Sequence, residues 1–303
     1  MRVALAATVR TLPRGAGLAY EPKFDGHRLV VVRTAEEVVL QARSGRIVTA
    51  AFPDLAAAAR QLPAGTVLDG EVVVWHAGRT DFALVQRRAA AATAARAAAL
   101  AQSLPASYAA FDVLELAGLD LRGRTYERRR ALLVDLLLPL GPPLQPVPMT
   151  TDPELAATWY ETLPASGIEG LVVKRLNQTY PAGRRGWQKL RHTQVRDAAV
   201  VGYTGTPRRP LALVLVLPVG DGIPLVSSPL TAALRADVVA AVAEREAPAR
   251  TPAGSRAGGA TVTAIGLGEV PYRPLDPPLT AEVRHPSTAR HPPPEVLRLR
   301  TEL

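Results

Sequence analysis

The chain has 303 residues, 48% of them hydrophobic, which is enough for one large or two ordinary apolar cores. It has no cysteine, which excludes disulfides, thiolate nucleophiles and cysteine-bound zinc, and it has no apolar run long enough to span a bilayer. The net charge of +9 favours an anionic partner, nucleic acid before others.

Residues 1–19 form a lead-in that closes on the turn-rich Pro13-Arg14-Gly15-Ala16-Gly17 and lacks the length and cleavage region of a signal peptide. Next comes Tyr20-Glu21-Pro22-Lys23-Phe24-Asp25-Gly26-His27-Arg28. Of 36 basic residues three are lysine, at 23, 174 and 189, and the rest are arginine. A lysine can shed its proton and attack as an amine, whereas a guanidinium stays charged. Composition alone fits leftover surface lysines equally well.

Runs of β-branched residues at 29–33 and 37–43 predict strands flanked by Arg28 and Arg43, followed by a turn at Ser44-Gly45-Arg46. Pro53 and Asp54 start a predicted helix that reaches Leu62. Residues 66–75 read as a strand on which Asp69 and Glu71, two apart, share a face. They are either solvated acids at a strand end or partnered buried ones, since an unpartnered buried carboxylate costs on the order of several kcal/mol. Asp81–Arg88 starts a helix that the alanine-rich 89–101 continues. Residues 107–116 alternate like a half-buried strand and carry Phe111, a core ring or a stacking one. Residues 126–138 predict a helix whose arginine run, 128–130, is a solvated face, and prolines at 142, 143, 146 and 148 force an extended crossing.

A further helix is predicted over 153–165. In Glu169-Gly170-Leu171-Val172-Val173-Lys174, strict alternation puts residues 169 and 174 on opposite faces, so joint use of both needs a bend near Gly170. A loop over 180–186 leads to a sheet segment at 187–192. Beyond it, strands at 197–203, 211–217, 260–267 and 279–285, one helix at 232–245 and a mobile loop at 246–260 suit an oligonucleotide-binding barrel or another small β fold.

Lys23-Phe24-Asp25-Gly26-His27-Arg28 matches the K-x-D-G-x-R signature of covalent nucleotidyltransferases, and with Glu21-Pro22 before it the segment resembles that of ATP-dependent DNA ligases. Other segments resemble the same family in the same order: Leu68-Asp69-Gly70-Glu71, Phe82–Arg88, Phe111-Asp112, Glu169–Lys174 and Trp187–Arg191, where Arg191 stands in place of a lysine. The last, Leu297–Leu303, resembles the family's closing R-x-D-K with Arg300 in place, glutamate for aspartate and Leu303 for lysine.

The resemblance implies an α+β chain: an adenylation domain of antiparallel sheets flanked by helices over residues 1–195, then an OB-fold β-barrel over 196–303. It implies that Lys23 attacks the α-phosphate of ATP and carries AMP to the 5′-phosphate of nicked double-stranded DNA, after which the 3′-hydroxyl displaces AMP. Around it, Glu21, Asp25, Arg28, Arg43, Phe111, Lys174, Lys189, Arg191 and Arg300 would bind nucleotide. Phe111 would stack on adenine. Glu71 would touch ribose or metal, and Glu169 would face the metal, magnesium or manganese. The implied setting is a cytoplasmic, nucleoid-associated monomer in DNA repair and recombination, with no membrane contact. An RNA ligase or capping guanylyltransferase shares the K-x-D-G chemistry, and the departures at Arg191 and Leu303 also suit an impaired nick-binding protein. With 22 residues before Lys23, the N-terminal DNA-binding domain of larger ligases is expected to be absent and nick binding to be weak and salt-sensitive. A hinge is expected between Arg191 and Gly202.

Overall fold

The computed structural model describes residues 2–218, 222–246, 260–264, 268–286 and 293–300. Contacts divide the chain into units of residues 1–192 and 193–303; the sequence placed the boundary after residue 195.

The first unit runs β1 (Leu5–Val9), β2 (Leu18–Pro22), β3 (His27–Arg33), β4 (Val38–Ala42), α1 (Pro53–Ala59), β5 (Thr66–His76), the short β6 (Arg79–Thr80), α2 (Phe82–Ala89), α3 (Ala94–Ser103), β7 (Ala106–Leu116) and the short β8 (Leu119–Asp120). It closes with α4 (Tyr126–Leu137), β9 (Leu144–Pro146), α5 (Pro153–Thr162), β10 (Gly170–Arg175) and β11 (Arg185–Arg191). Two sheets result. One has the order β4-β3-β5-β7-β8, with β6 on β5 and β9 on β7; the other is β1-β11-β10-β2.

Alternation along β3 and β5 fixes the layers, because residues two apart share a face. Leu29, Val31, Leu68 and Val72 pack with Phe52, Leu55, Leu133 and Leu137 from the helical side. Val30 and Val67, of the other parity, pack with Tyr180 and Trp187 of the second sheet's side. Asp69 and Glu71 share that inner parity, so the acids the sequence singled out lie between the sheets.

Strand β7 breaks the simple alternation expected of it. Its pairing with β5 shifts register between Asp69 and Gly70, where Asp112 and Ala110 are successive partners and Phe111 is the extra residue. A bulge re-aims a side chain. Ala110 and Val113, three residues apart, therefore both lie in the helical core, while Phe111 packs with the inner cluster.

Three expectations are corrected. Of the arginine run only Arg128 is solvated: Arg129 is fully buried and bidentate on buried Asp112 at 2.7 and 2.9 Å, and Arg130 is buried with a bond to the Val147 carbonyl. The alanine-rich stretch does not continue α2, since Thr93 caps a new helix by accepting from the Arg96 amide at 3.2 Å. The helix expected to Leu62 ends at Ala59, and that expected to Ala165 ends at Thr162 and tightens into a 3-10 turn over Leu163–Ser166.

The second unit runs β12 (Thr193–Thr206), β13 (Arg209–Val216), β14 (Leu225–Val226), α6 (Ala232–Glu246), β15 (Ala260–Ala264), β16 (Gly268–Pro286) and β17 (Glu295–Arg300). Its antiparallel sheet has the order β14-β13-β12-β16-β15 with β17 on β16, and curls so that β15 comes beside β14. Val238 and Val242 of α6 pack on Leu213, Leu215, Ala281 and Val283. The hinge segment named from sequence is mostly strand; between β11 and β12 only His192 lies outside one. The loop expected over 246–260 and the departure at Leu303 fall largely outside the described residues.

Candidate functional site

Lys23 directly follows β2 and keeps its strand pairing. Its amide donates to the Gly170 carbonyl at 2.8 Å, and the Glu169 amide donates to its own carbonyl at 2.9 Å. The two segments that the sequence marked as separate motifs are thus clamped together by the sheet. Gly26 lets the chain turn away at once, since a Cβ there would lie 2.1 Å from the Val72 carbonyl oxygen.

Gly170 supplies the bend that joint use of Glu169 and Lys174 required. Its φ is +145°, and a Cβ would lie 2.0 Å from the Leu190 carbonyl oxygen. The backbone reversal sends the two side chains to two different lysine–glutamate pairs. Glu169, 2% exposed, takes the Lys23 ammonium on Oε1, and Arg191 Nε stands 3.4 Å from Oε2 without hydrogen-bond alignment. Lys174, 1% exposed, pairs with Glu21 at 2.7 Å and donates to the Phe111 carbonyl at 2.8 Å.

All three lysines line a single pocket of about 590 Å³, along with Glu21, Arg28 and Glu71. Arg43 and Arg191 edge it, and Phe111 and Trp187 form an aromatic wall with ring centroids 5.7 Å apart, edge to face. Arg28 is fixed rather than free: it grips buried Asp69 at 2.9 and 2.6 Å and donates to the Ala4 carbonyl at 2.6 Å. Asp25 and Glu169 are not in its lining but lie behind it: Glu169 pairs with Lys23, and Asp25 is close enough to Lys23, Arg191 and Glu169 for their charges to be felt.

The electrostatics are those of a crowded, partly dehydrated site. Burial, and then the neighbouring Glu169 charge, push the Asp25 carboxyl up to about 7 against the pull of Lys23 and Arg191. Burial likewise pushes Glu71 up to about 7, opposed first by Lys23 and Arg28. Burial and the Arg191, Lys23 and Arg43 cations lower the Lys189 ammonium. Such a pocket presents cations suited to an anion and acids suited to a divalent cation.

Among the described residues no three acidic or histidine side chains converge to hold a metal unaided. Glu169 Oε2 nevertheless is buried with no hydrogen-bond donor. A magnesium ion needs only one or two carboxylates when phosphate oxygens and water complete its shell, so Glu169 and Glu71 fit that role.

Arg300 is not part of this pocket's lining; it lies in the second unit, paired with Asp197 at 3.0 Å and Glu282 at 2.9 Å. Residues missing from the sequence reading are the supporting ones. Tyr126 donates to Glu21, and Tyr180 donates to Asp69 and accepts from the Ala4 amide at 2.9 Å. Aromatics near helix starts and loops carry no sequence signal for such contacts.

The family model for the ATP dependent DNA ligase domain matches residues 4–191, which hold the whole pocket. The chain belongs to the ATP-dependent DNA ligase family. DNA ligase C2 of Mycolicibacterium smegmatis is 38% identical over 200 residues, covering 66% of this chain and 56% of the relative. DNA ligase C of Mycobacterium tuberculosis is 36% identical over 204 residues with the same shares. The chain therefore spans a little over half the length of these curated relatives. Among solved structures, a mycobacterial DNA ligase D complexed with ATP and MES is 26% identical, with a TM-score of 0.55 over 100% of this chain and 95% of that one. The ligase domain from M. tuberculosis LigD is 27% identical, with a TM-score of 0.56 over 99% and 94%. These likenesses make the architecture of this ligase-family chain an adenylation domain followed by an OB-fold barrel.

Proposed function

We propose that the chain is an ATP-dependent DNA ligase and that Lys23 is its nucleophile. The observation that carries this reading is that all three lysines of a chain with 36 basic residues line one pocket. The Lys23 nitrogen attacks the α-phosphorus of ATP, forming a P–N bond as the bond to pyrophosphate breaks. Attack needs the neutral amine, and Glu169, already holding the ammonium, is placed to take its proton. Lys189, Arg191 and Arg43 supply cationic charge where phosphate charge gathers, and Phe111 offers a ring to the base. A divalent ion held by Glu169 and Glu71 would neutralise phosphate charge when bound. AMP then passes to the 5′-phosphate at a nick in duplex DNA, and the 3′-hydroxyl attacks that phosphorus, releasing AMP. The net charge of +9 supports a polyanionic substrate. Arg300 is assigned to pyrophosphate on resemblance to the family's closing segment.

Incubation with α-labelled ATP and magnesium should place label on the protein, and Lys23→Ala should remove it. A labelled Lys23→Ala protein overturns the nucleophile assignment. Labelling by GTP in preference to ATP, or sealing of RNA but not of nicked DNA, overturns the substrate.

A further inference from the structure

Tyr126 lies outside every segment that resembles a ligase motif, yet it is 1% exposed at the first turn of α4 and points its hydroxyl at the innermost ion pair of the pocket. The hydroxyl donates to Glu21 Oε1; the other carboxylate oxygen, Oε2, holds Lys174 at 2.7 Å. The ring is used as well. The Lys174 ammonium lies 4.7 Å from the Tyr126 ring centroid, 4.4 Å from Trp187 and 5.0 Å from Phe111, a three-sided aromatic cage. Burial and the adjacent Glu21 charge hold the phenol well above its ordinary range, so it remains a donor at any working pH. Its backbone is pinned too, as the Tyr126 amide donates to the Gln178 carbonyl at 2.8 Å.

An ammonium has three N–H donors. In Lys174 one goes to Glu21 and one to the Phe111 carbonyl, which leaves the third for a ligand in the pocket that Lys174 lines. The direction of that third donor, and the position of the Phe111 wall, depend on where Glu21 sits. Glu21 lies next to the strand end that carries Lys23, but its carboxylate belongs to a different pair from that of the nucleophile.

We propose that Tyr126 is a positioning residue for nucleotide binding: through Glu21 it fixes Lys174 and the Phe111 wall, and so sets the affinity for ATP without touching the reacting atoms. The proposal rests on the adenylylation reading above. Tyr126→Phe keeps the cage and removes only the hydroxyl. It should raise the ATP concentration for half-maximal Lys23 labelling by about tenfold, as expected for a lost hydrogen bond to a charged group, and leave the saturated labelling rate within about twofold. Tyr126→Leu, which also opens the cage, should raise it further. In a Glu21→Gln background Tyr126→Phe should add nothing, because the route through Glu21 is already cut. If Glu21→Gln does not fold, ATP dissociation constants of Lys23→Ala and Lys23→Ala/Tyr126→Phe replace the cycle, and the second should be about tenfold weaker. An unchanged half-saturation, a fall in saturated rate alone, or an additive double variant overturns the proposal. A wild-type protein that takes no label overturns the adenylylation reading itself.

Discussion

The pocket holds two lysine–glutamate pairs built from neighbouring strands, and they are opposites. Lys174 and Glu21 are both sealed from solvent, at 1% and 2% side-chain exposure, with a tyrosine hydroxyl, a backbone carbonyl and three rings packed around them. Lys23 and Glu169 pair at the pocket surface: Lys23 is 21% exposed, and the second oxygen of Glu169 has no hydrogen-bond donor. A sealed pair satisfies its own charges and cannot change partners cheaply. An open pair with an unsatisfied oxygen can. The difference separates a pair that holds a binding group in place from one that can exchange partners during a reaction, among residues of the same two types.

The largest predicted effect tests that separation directly. Lys174→Met leaves Glu21 charged and buried without its counter-ion, which should destabilise the protein by about 3–5 kcal/mol. Lys23→Met should cost no more than about 1–2 kcal/mol, because Arg191 still faces Glu169 and water reaches the vacated space. Urea unfolding of the two variants measures both. Equal losses would erase the distinction between the pairs.

Next in size is Gly170→Ala. Gly170 directly follows Glu169 of the open pair and begins the strand that carries Lys174 of the sealed one, and its positive φ and close approach to the Leu190 carbonyl leave no room for a methyl group. A loss of about 2–4 kcal/mol is expected, with Lys23 labelling reduced in the fraction that folds. A variant as stable and as active as the wild type would show that the bend is not required.

The need for this bend was legible in the sequence, because a five-residue spacing on a strand demands it and glycine stands where it is needed. The strands that follow Lys23, β3 and β4, were legible for a similar reason, β-branched runs separated by turn residues, whereas β1 and β2 fall in and just after the stretch read as a lead-in and were not. The buried arginines were not. Arg129 looks like any member of a basic run, and only the Asp112 carboxylate across from it, on a strand 17 residues away, makes burial tolerable. Strand β16 was read only from Leu279, whereas it begins at Gly268 and runs through prolines at 271, 274, 277 and 278, residues that a strand rarely holds. The sheet accommodates them with a register break, so that Val200 pairs with Leu279 and Gly202 with Pro274. Tyr126 and Tyr180 were invisible because hydroxyl partners far apart in sequence leave no periodicity.

A smaller effect separates the pairs by pH. Asp25 and Glu71, on the open side, titrate near 7 in the folded protein but near 4 when unfolded, so between those values the folded state binds more protons. Their contribution to stability is therefore most favourable below about pH 4, is lost as pH rises toward 7, and is level above it. Subtracting the Asp25→Asn/Glu71→Gln profile from that of the wild type, both free of nucleotide and metal, should give this falling slope. A difference that rises with pH over that range would mean the two acids are held as anions by their cationic neighbours.

The smallest effect concerns the position where the chain departs from its family's pattern. Arg191 contacts Glu169 at 3.4 Å through Nε, without the alignment of a hydrogen bond, and its side chain is 20% exposed. A partly solvated pair of this kind contributes little, on the order of 1 kcal/mol or less. What Arg191 does supply is charge, felt at Asp25 and at Lys189 alike. Lysine would keep that charge and lose the planar fork. Arg191→Lys should therefore label Lys23 at a rate within about fivefold of wild type, since about 1 kcal/mol is the most the altered contact can contribute. Arg191→Met, which removes the charge as well, should be slower by a further factor of about ten or more. If Arg191→Lys were as slow as Arg191→Met, the guanidinium would be acting through its geometry, as a two-pronged grip on phosphate, and the open pair would owe its behaviour to shape rather than to charge.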